Sequence, residues 1–486
     1  MTTPAKGEGI YNVVVIGAGT AGLVTAAGTA GLGGRVALIE RNKMGGDCLN
    51  FGCVPSKALI SSARLLTKMR RAEDWGLCKT EPQFDFNEIF ARMRARRAQI
   101  APNDSQERFE SLGVDVFRGQ ARFESATSVK VNNQILRAKN FVIATGTRAL
   151  VPKIEGIDAA SYFTNETIFD ELKSKPESLI VLGGGPIGCE LGQTFNRFGV
   201  RTTIVQRNVR LLPREDVDVS EFLENRLVSE GISVVTNADA RSVRRDGDQV
   251  KMSILRKAEA PMEISASTLL MCPGRQPNIE SLGLDVAGIR ANRRGVIVNE
   301  YLQTSQPHIY AAGDIAGPFL FTHMADAHAR VVVRNILMPF QFLRQKIDYS
   351  VVPWCTYVDP EIATVGLNEG AAKNKNIEFD LITQELKDVD RAVVESEDTG
   401  FVKVLVARGT DKILGATLVC EGAGDLMHEF VLAMKYGIGL GKISATTHAY
   451  PTFAELARKL GDKYNKTRLT PAARRIFSWL YRRKLA

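Results

Sequence analysis

The sequence predicts an α/β fold with two doubly wound units, and three observations carry the prediction. An apolar run, Val13-Val14-Val15-Ile16, leads into a glycine turn and a helix rich in small residues. The same arrangement recurs downstream from Leu179-Ile180-Val181-Leu182. With 486 residues, 44% of them apolar, the chain is long enough for about three domains, each with its own core.

The first unit runs from the buried strand at Val13 through Gly17-Ala18-Gly19-Thr20-Ala21-Gly22 into a helix. Arg35 then opens a second apolar run, Val36 to Ile39, that ends in Glu40. In such a turn the first glycine makes the bend, the second lets a pyrophosphate approach, and the third lets helix and strand pack closely. The helix start adds free N–H groups and about half a positive charge.

The second unit repeats this at a constant offset of 166: Gly17 maps to Gly183, Gly19 to Gly185, Gly22 to Gly188, Arg35 to Arg201 and Glu40 to Gln206. Chance clustering of glycine does not keep such a register, so two Rossmann-like nucleotide-binding domains are expected, each with its own dinucleotide. They differ where a ribose is read. Glu40 repels a 2′-phosphate and suits the ADP half of FAD, whereas Gln206, followed by Arg207 and Arg210, favours NADPH, with NADH as the alternative.

Between the two units lies Gly45-Gly46-Asp47-Cys48-Leu49-Asn50-Phe51-Gly52-Cys53-Val54-Pro55-Ser56-Lys57. Five residues of regular helix rise about 7.5 Å, beyond a disulfide's Cα separation of about 4.4–6.8 Å, so a bond between Cys48 and Cys53 needs a distorted turn. Gly52 is expected to supply that backbone freedom, and Gly45-Gly46 a close approach to a ligand. Near a helix start, with Lys57 one turn on, both thiols are expected to have lowered pKa values.

The remaining five cysteines, Cys78, Cys189, Cys272, Cys355 and Cys420, are scattered and read as small buried residues. No CxxC exists, so no metal site is expected. No membrane-spanning run and no signal-peptide pattern is present, which places the protein in the cytoplasm. Six basic residues, Arg468, Arg474, Arg475, Arg482, Arg483 and Lys484, account for most of the net charge of +9, leaving +3 for residues 1–467 and no body-wide footprint for nucleic acid. Arg92, Arg94, Arg96 and Arg97 read as a solvated helix face.

Together these motifs resemble the class I pyridine nucleotide-disulfide oxidoreductases, which include dihydrolipoamide dehydrogenase, glutathione reductase and mercuric reductase. The match runs to about residue 466 and includes Ala144-Thr145-Gly146, Gly274-Arg275 with Pro277-Asn278, Ala311-Ala312-Gly313-Asp314 and Val352-Pro353 with Asp359-Pro360-Glu361. The resemblance implies a first FAD-binding part (1–153), an NAD(P)-binding domain (154–283), an FAD return segment (284–348) and a C-terminal α+β dimerisation domain (349–466), hence a homodimer. Gly46, Thr145, Gly146, Asp314 and Gly274 would line the cofactor sites, with Asp314 on the ribityl chain. Cys53 would face the flavin, Cys48 would meet the substrate, and Lys57 would pair with Glu190. Electrons would pass from NADPH through flavin to the disulfide and on to a small-molecule, metal-ion or disulfide acceptor.

The C-terminal motif departs from the family pattern. Where members acting on dithiols carry a His before Pro-Thr, oriented by a Glu five residues later, this chain has Tyr450 before Pro451-Thr452, with Glu455 retained and His448 two residues upstream. A phenol with an ordinary pKa near 10 is a poor base at neutral pH. Gly46-Asp47-Cys48, Trp354-Cys355 and Gly461-Asp462-Lys463-Tyr464-Asn465 resemble a mercuric reductase-like subgroup, although no cysteine follows Cys420 to form the terminal pair of those enzymes. Two other readings remain: a dihydrolipoamide dehydrogenase-type enzyme using His448 as base, and a flavin-bearing membrane-associated scaffold. Residues 467–486 form a basic amphipathic tail that either packs on the dimer or lies on the inner face of an anionic membrane.

Overall fold

The computed structural model describes residues 5–256 and 259–484. By internal contacts it divides into two compact units, one of Met1–Leu65, Gln83–Val209 and Glu230–Asp348, the other of Leu66–Pro82, Arg210–Ser229 and Tyr349–Ala486.

The first unit holds both glycine turns. One sheet runs in the order Val114–Arg118, Val36–Glu40, Ile10–Ile16, Gln134–Ile143, with Ile309–Ala311 also pairing parallel to Gln134–Ile143. Val13 and Val15 are buried on one face of it and Val14 and Ile16 on the other, which explains why the run is apolar throughout. The second parallel sheet follows the order Ser233–Val235, Arg201–Val205, Ser178–Leu182, Thr268–Met271, Phe163–Thr164. The offset of 166 extends to strand register: Val13 pairs with Val36 and Ile16 with Ile39, while Leu179 pairs with Thr202 and Leu182 with Val205. In each sheet the chain leaves the central strand to one side and returns on the other, which opens a crevice at the carboxyl ends of the strands.

The second unit is an antiparallel sheet in the order Pro353–Thr356, Glu361–Gly366, Ile413–Cys420, Phe401–Ala407, Phe379–Glu385, with a core that includes Leu418, Phe430, Leu456 and Leu460. The segment Arg210–Ser229 falls within the expected NAD(P) domain in sequence, yet it packs in this unit. Lys403, 1% exposed, binds Asp216 at 2.9 Å, Asp218 at 2.8 Å and Glu369 at 3.1 Å, and Trp354 Nε1 donates to Glu215 at 2.6 Å. A buried ammonium needs such company, so these contacts tie the segment to the sheet.

Candidate active site

The two glycine turns are built alike. Gly17 and Gly183 both have positive φ, +105° and +118°, and a side chain on either would strike the next crossover, at the carbonyls of Ala144 and Cys272 respectively. Gly17 N–H donates to Ile39 O and Gly183 N–H to Val205 O, each at 2.8 Å. Gly22 and Gly188 press on the carbonyls of Gly17 and Gly183, whereas around Gly185 a side chain would meet nothing within 4 Å. That open second position is where a pyrophosphate fits, facing the starts of the helices Thr20–Gly31 and Pro186–Arg197. Around Gly19 the only near atom is Gly46 Cα, and Gly46, at φ +60°, brings the redox loop against it.

The positions expected to read a ribose, Glu40 and Gln206, are also equivalent. Glu40 accepts from Ala18 N–H at 2.7 Å and from Asn42 N–H at 2.6 Å; Gln206 Oε1 accepts from Gly184 N–H at 3.4 Å. Glu40 and Thr145 line one cavity together with Gly17, Gln120 and Asn278. Gly146, at φ +62°, follows it, and its carbonyl accepts from Asn278 N–H at 3.0 Å. Gly274, at φ +156°, bends the chain after the strand Thr268–Met271. Arg207 is exposed and lies 3.8 Å from Asp239, while Arg210 belongs to the second unit.

The redox motif breaks its helix as the spacing demands. Cys48 sits in the short helix Gly46–Asn50, Phe51 and Gly52 intervene, and Cys53 opens the helix Cys53–Arg70. Gly52 serves by smallness rather than by unusual φ: a Cβ there would come within 3.0 Å of Asp47 Oδ2 and 3.4 Å of Cys48 Cα. Both cysteines are thiols here. The expectation that both would be acidified holds for one only. Cys53 is pulled down to about 6, first by the hydrogen bond from Cys48, then by Lys57 and by Thr322, whose hydroxyl is 3.6 Å away. Cys48 is pushed up, because it is the donor in that bond and is half-buried. Lys57 Nζ is 2.7 Å from Glu190, whose carboxylate is buried in the helix that follows the second glycine turn.

Several contacts that fix this turn were not expected from the sequence. Asp47, beside Cys48, is 3.1 Å from Arg275, whose guanidinium also donates to Thr147 Oγ1 and Thr147 O, both at 3.0 Å. Thr147 in turn donates to Asp314 at 3.0 Å, and burial raises the pKa of Asp314 against the pull of Arg275. Asn165 donates to Phe51 O at 3.0 Å. Arg97, expected on a solvated face, instead donates to Asn50 O at 3.0 Å and pairs with Asp170 at 2.5 Å. Behind Asp314, His328 is fully buried, its pKa drawn down to about 4 by burial, and its Nδ1 accepts from Gly313 N–H at 3.1 Å.

Three other thiols are held in the protonated form by burial. Burial pushes up Cys189 and Cys420, and Cys272 to about 12. Cys78 departs from the buried reading and is exposed.

In the second unit, Tyr450 and Glu455 do not meet. Tyr450 is 70% exposed and donates to Asp390 at 2.9 Å, while Glu455 is buried and pairs with Arg458 at 2.8 Å. His448 holds the carbonyl of Thr446 and the carboxylate of Glu429, each at 2.9 Å. Both ring nitrogens are thus engaged by acceptor groups in this arrangement.

A family model described as pyridine nucleotide-disulphide oxidoreductase matches residues 11–331. The chain belongs to this family. The dimerisation domain of the same family matches residues 352–460. Mercuric reductase of Bacillus cereus is 35% identical over 93% of this chain and 71% of its own length, and dihydrolipoyl dehydrogenase of Chlamydia pneumoniae is 32% identical over 92% and 95%. Among solved structures, the Cu(II) complex of the HOCl-induced flavoprotein disulfide reductase RclA from Escherichia coli superposes with a TM-score of 0.83 at 27% identity, covering 94% of this chain and 99% of that one. LpdA from Mycobacterium tuberculosis gives 0.85 at 26%, covering 94% and all of that chain. The protein is thus an FAD-dependent oxidoreductase with NAD(P)H as electron donor. Among the described residues, no helix is long and apolar enough to cross a membrane.

Proposed function

We propose that this oxidoreductase moves electron pairs from NADPH to a Cys48–Cys53 disulfide and from the resulting dithiol to a soft, thiophilic metal ion, as a homodimer in the cytoplasm. The observation that carries the reading is the asymmetry of the pair: Cys53 is an acidified thiol at a helix start, Cys48 a protonated donor half-open to the surface. FAD, bound at the first glycine turn, supplies the two-electron step between nicotinamide and disulfide.

The chain's own residues handle the protons and the charge. Reduction of the disulfide takes two electrons and one proton, leaving Cys53 as thiolate and Cys48 as thiol. Lys57, braced by Glu190, stabilises the thiolate. Cys48, once deprotonated, binds the metal ion; re-forming the disulfide passes two electrons to the metal, to one ion such as Hg(II) or to two Cu(II) ions, and returns one proton to solvent. Support for a metal acceptor comes from the mercuric reductase relatives, from a structural neighbour solved with Cu(II), and from Tyr450, which gives no base for thiol exchange. A dihydrolipoamide dehydrogenase-type reaction has its own support in the relatives of that name and in the His448–Glu429 pair, but it needs His448 to release one of its two acceptors.

NADPH is favoured because Gln206 carries no charge to repel a 2′-phosphate and Arg207 is free of burial beside it. Gln206→Glu is expected to lower kcat/KM for NADPH roughly tenfold relative to NADH, a cost of about 1.4 kcal/mol. The acceptor is tested by NADPH oxidation with Hg(II), Cu(II), lipoamide and glutathione disulfide in wild type and Cys48→Ser. Metal-dependent turnover lost in Cys48→Ser is the expected result. Turnover unchanged by the substitution, or confined to lipoamide, contradicts the proposal.

A further inference from the structure

The last helix, Pro471–Arg483, begins cleanly: Thr470 caps it by accepting from Ala473 N–H at 3.1 Å, and Pro471 occupies the first turn. None of its residues is buried in the chain. Five large side chains stand open on it, Ile476 at 58%, Phe477 at 51%, Trp479 at 57%, Leu480 at 43% and Tyr481 at 73% exposed. At 100° per residue, Ile476, Leu480, Phe477 and Tyr481 share an arc of about 140°, wide enough for an apolar face, while Arg475 and Arg482 lie opposite and Arg474 and Arg483 border it. Trp479 lies about 60° outside the arc, beyond Arg483, whose guanidinium is 5.6 Å from the ring.

An apolar stripe alone does not say what covers it, but here the charge does. The last 19 residues contain six basic side chains and no acidic one. At about 20 Å, the helix is too short to cross a bilayer, so it lies along a surface if it meets one. Tyr481 at the edge of the apolar arc and Trp479 outside it suit the headgroup level, and the arginines suit anionic headgroups.

We infer that Pro471–Arg483 docks this oxidoreductase on an anionic lipid surface, with the arc of Ile476, Phe477, Leu480 and Tyr481 below the headgroups and the arginines among them. The contact is independent of the redox site: its apolar arc inserts, its charges draw the chain to the surface, and salt weakens the attraction.

The test is co-sedimentation of the FAD-loaded full chain with vesicles of equal parts phosphatidylglycerol and phosphatidylcholine, and with phosphatidylcholine alone. The full chain is expected to pellet with the anionic vesicles only, with the bound fraction falling as salt rises. A chain ending at Thr470, and a full chain carrying Ile476→Glu with Leu480→Glu, are expected to stay in the supernatant while keeping NADPH oxidation and subunit mass. Equal pelleting of full and shortened chains overturns the inference, as does equal binding to phosphatidylcholine alone. A shortened chain that falls to half the native mass, with no pelleting of the full chain, also overturns it and assigns the helix to subunit packing.

Discussion

The redox turn and the segment around Tyr450 make an instructive contrast. In the first, residues beside the cysteines are held from outside: the Asp47 carboxylate by Arg275, and the carbonyls of Asn50 and Phe51 by Arg97 and Asn165. In the second, the side chains at the base position are spent on other partners, Tyr450 on Asp390, Glu455 on Arg458 and His448 on Glu429. One region is organised to generate and hold a thiolate. The other offers nothing to take a proton from a thiol substrate. That contrast supports the proposed acceptor, one that needs no base.

The contrast breaks most severely at the thiolate itself. Cys53→Ser is expected to lower NADPH-driven turnover of the disulfide-dependent acceptor on the order of a thousandfold or more, as loss of an essential nucleophile does; steady-state kinetics with the acceptor checks it. Next comes Lys57→Met, which leaves the buried Glu190 without this cation. A cost of about 1–3 kcal/mol in stability, discounted for the partial exposure of Lys57, is expected from denaturant titration. The same variant raises the Cys53 pKa. In the reduced wild type, alkylation of Cys53 should rise through about pH 6, far below an ordinary thiol, because the group is anionic above its lowered pKa. The Lys57→Met profile moves upward.

Arg275→Gln sharpens the comparison more finely. Without the guanidinium, Asp47 bears on both thiols, each of which it pushes upward. The alkylation profile of Cys53 should shift to higher pH, and adding Asp47→Asn should bring it back. A shift that persists in the double variant would mean that Arg275 acts by shaping the loop and not through charge. The smallest effect belongs to the other region. Tyr450→Phe is expected to leave the midpoint of denaturant unfolding unchanged, because the ring is exposed and loses only a surface hydrogen bond. Tyr450→His alone should leave lipoamide reduction low, since Glu455 is already paired; adding Arg458→Ala releases it and should raise the rate.

Repetition and local chemistry made much of the fold legible in sequence. The offset of 166 follows from two copies of one strand–turn–helix unit, and it reappears in strand register and in the hydrogen bonds of both turns. The break between Cys48 and Cys53 follows from helix geometry alone. What the sequence did not show is what depends on distant chain. Arg275, Asn165 and Arg97 reach Asp47, Phe51 and Asn50 of the redox turn from 228, 114 and 47 residues away, contacts that no local pattern announces. Arg210–Ser229 packs by burying Lys403 among carboxylates, a contact that its sequence context conceals. Gly52 invited an argument about φ, but its neighbours Asp47 and Cys48 show that space is what matters.

The central claim is that Cys48 and Cys53 accept the electron pair. Anaerobic treatment with one equivalent of NADPH, followed by alkylation and peptide mass mapping, tests it most directly. The account predicts that two thiols appear on reduction of the oxidised protein and that both label on the peptides carrying Cys48 and Cys53, with Cys53 labelling first at pH 7. Consumption of NADPH with no new thiol at either position would contradict it.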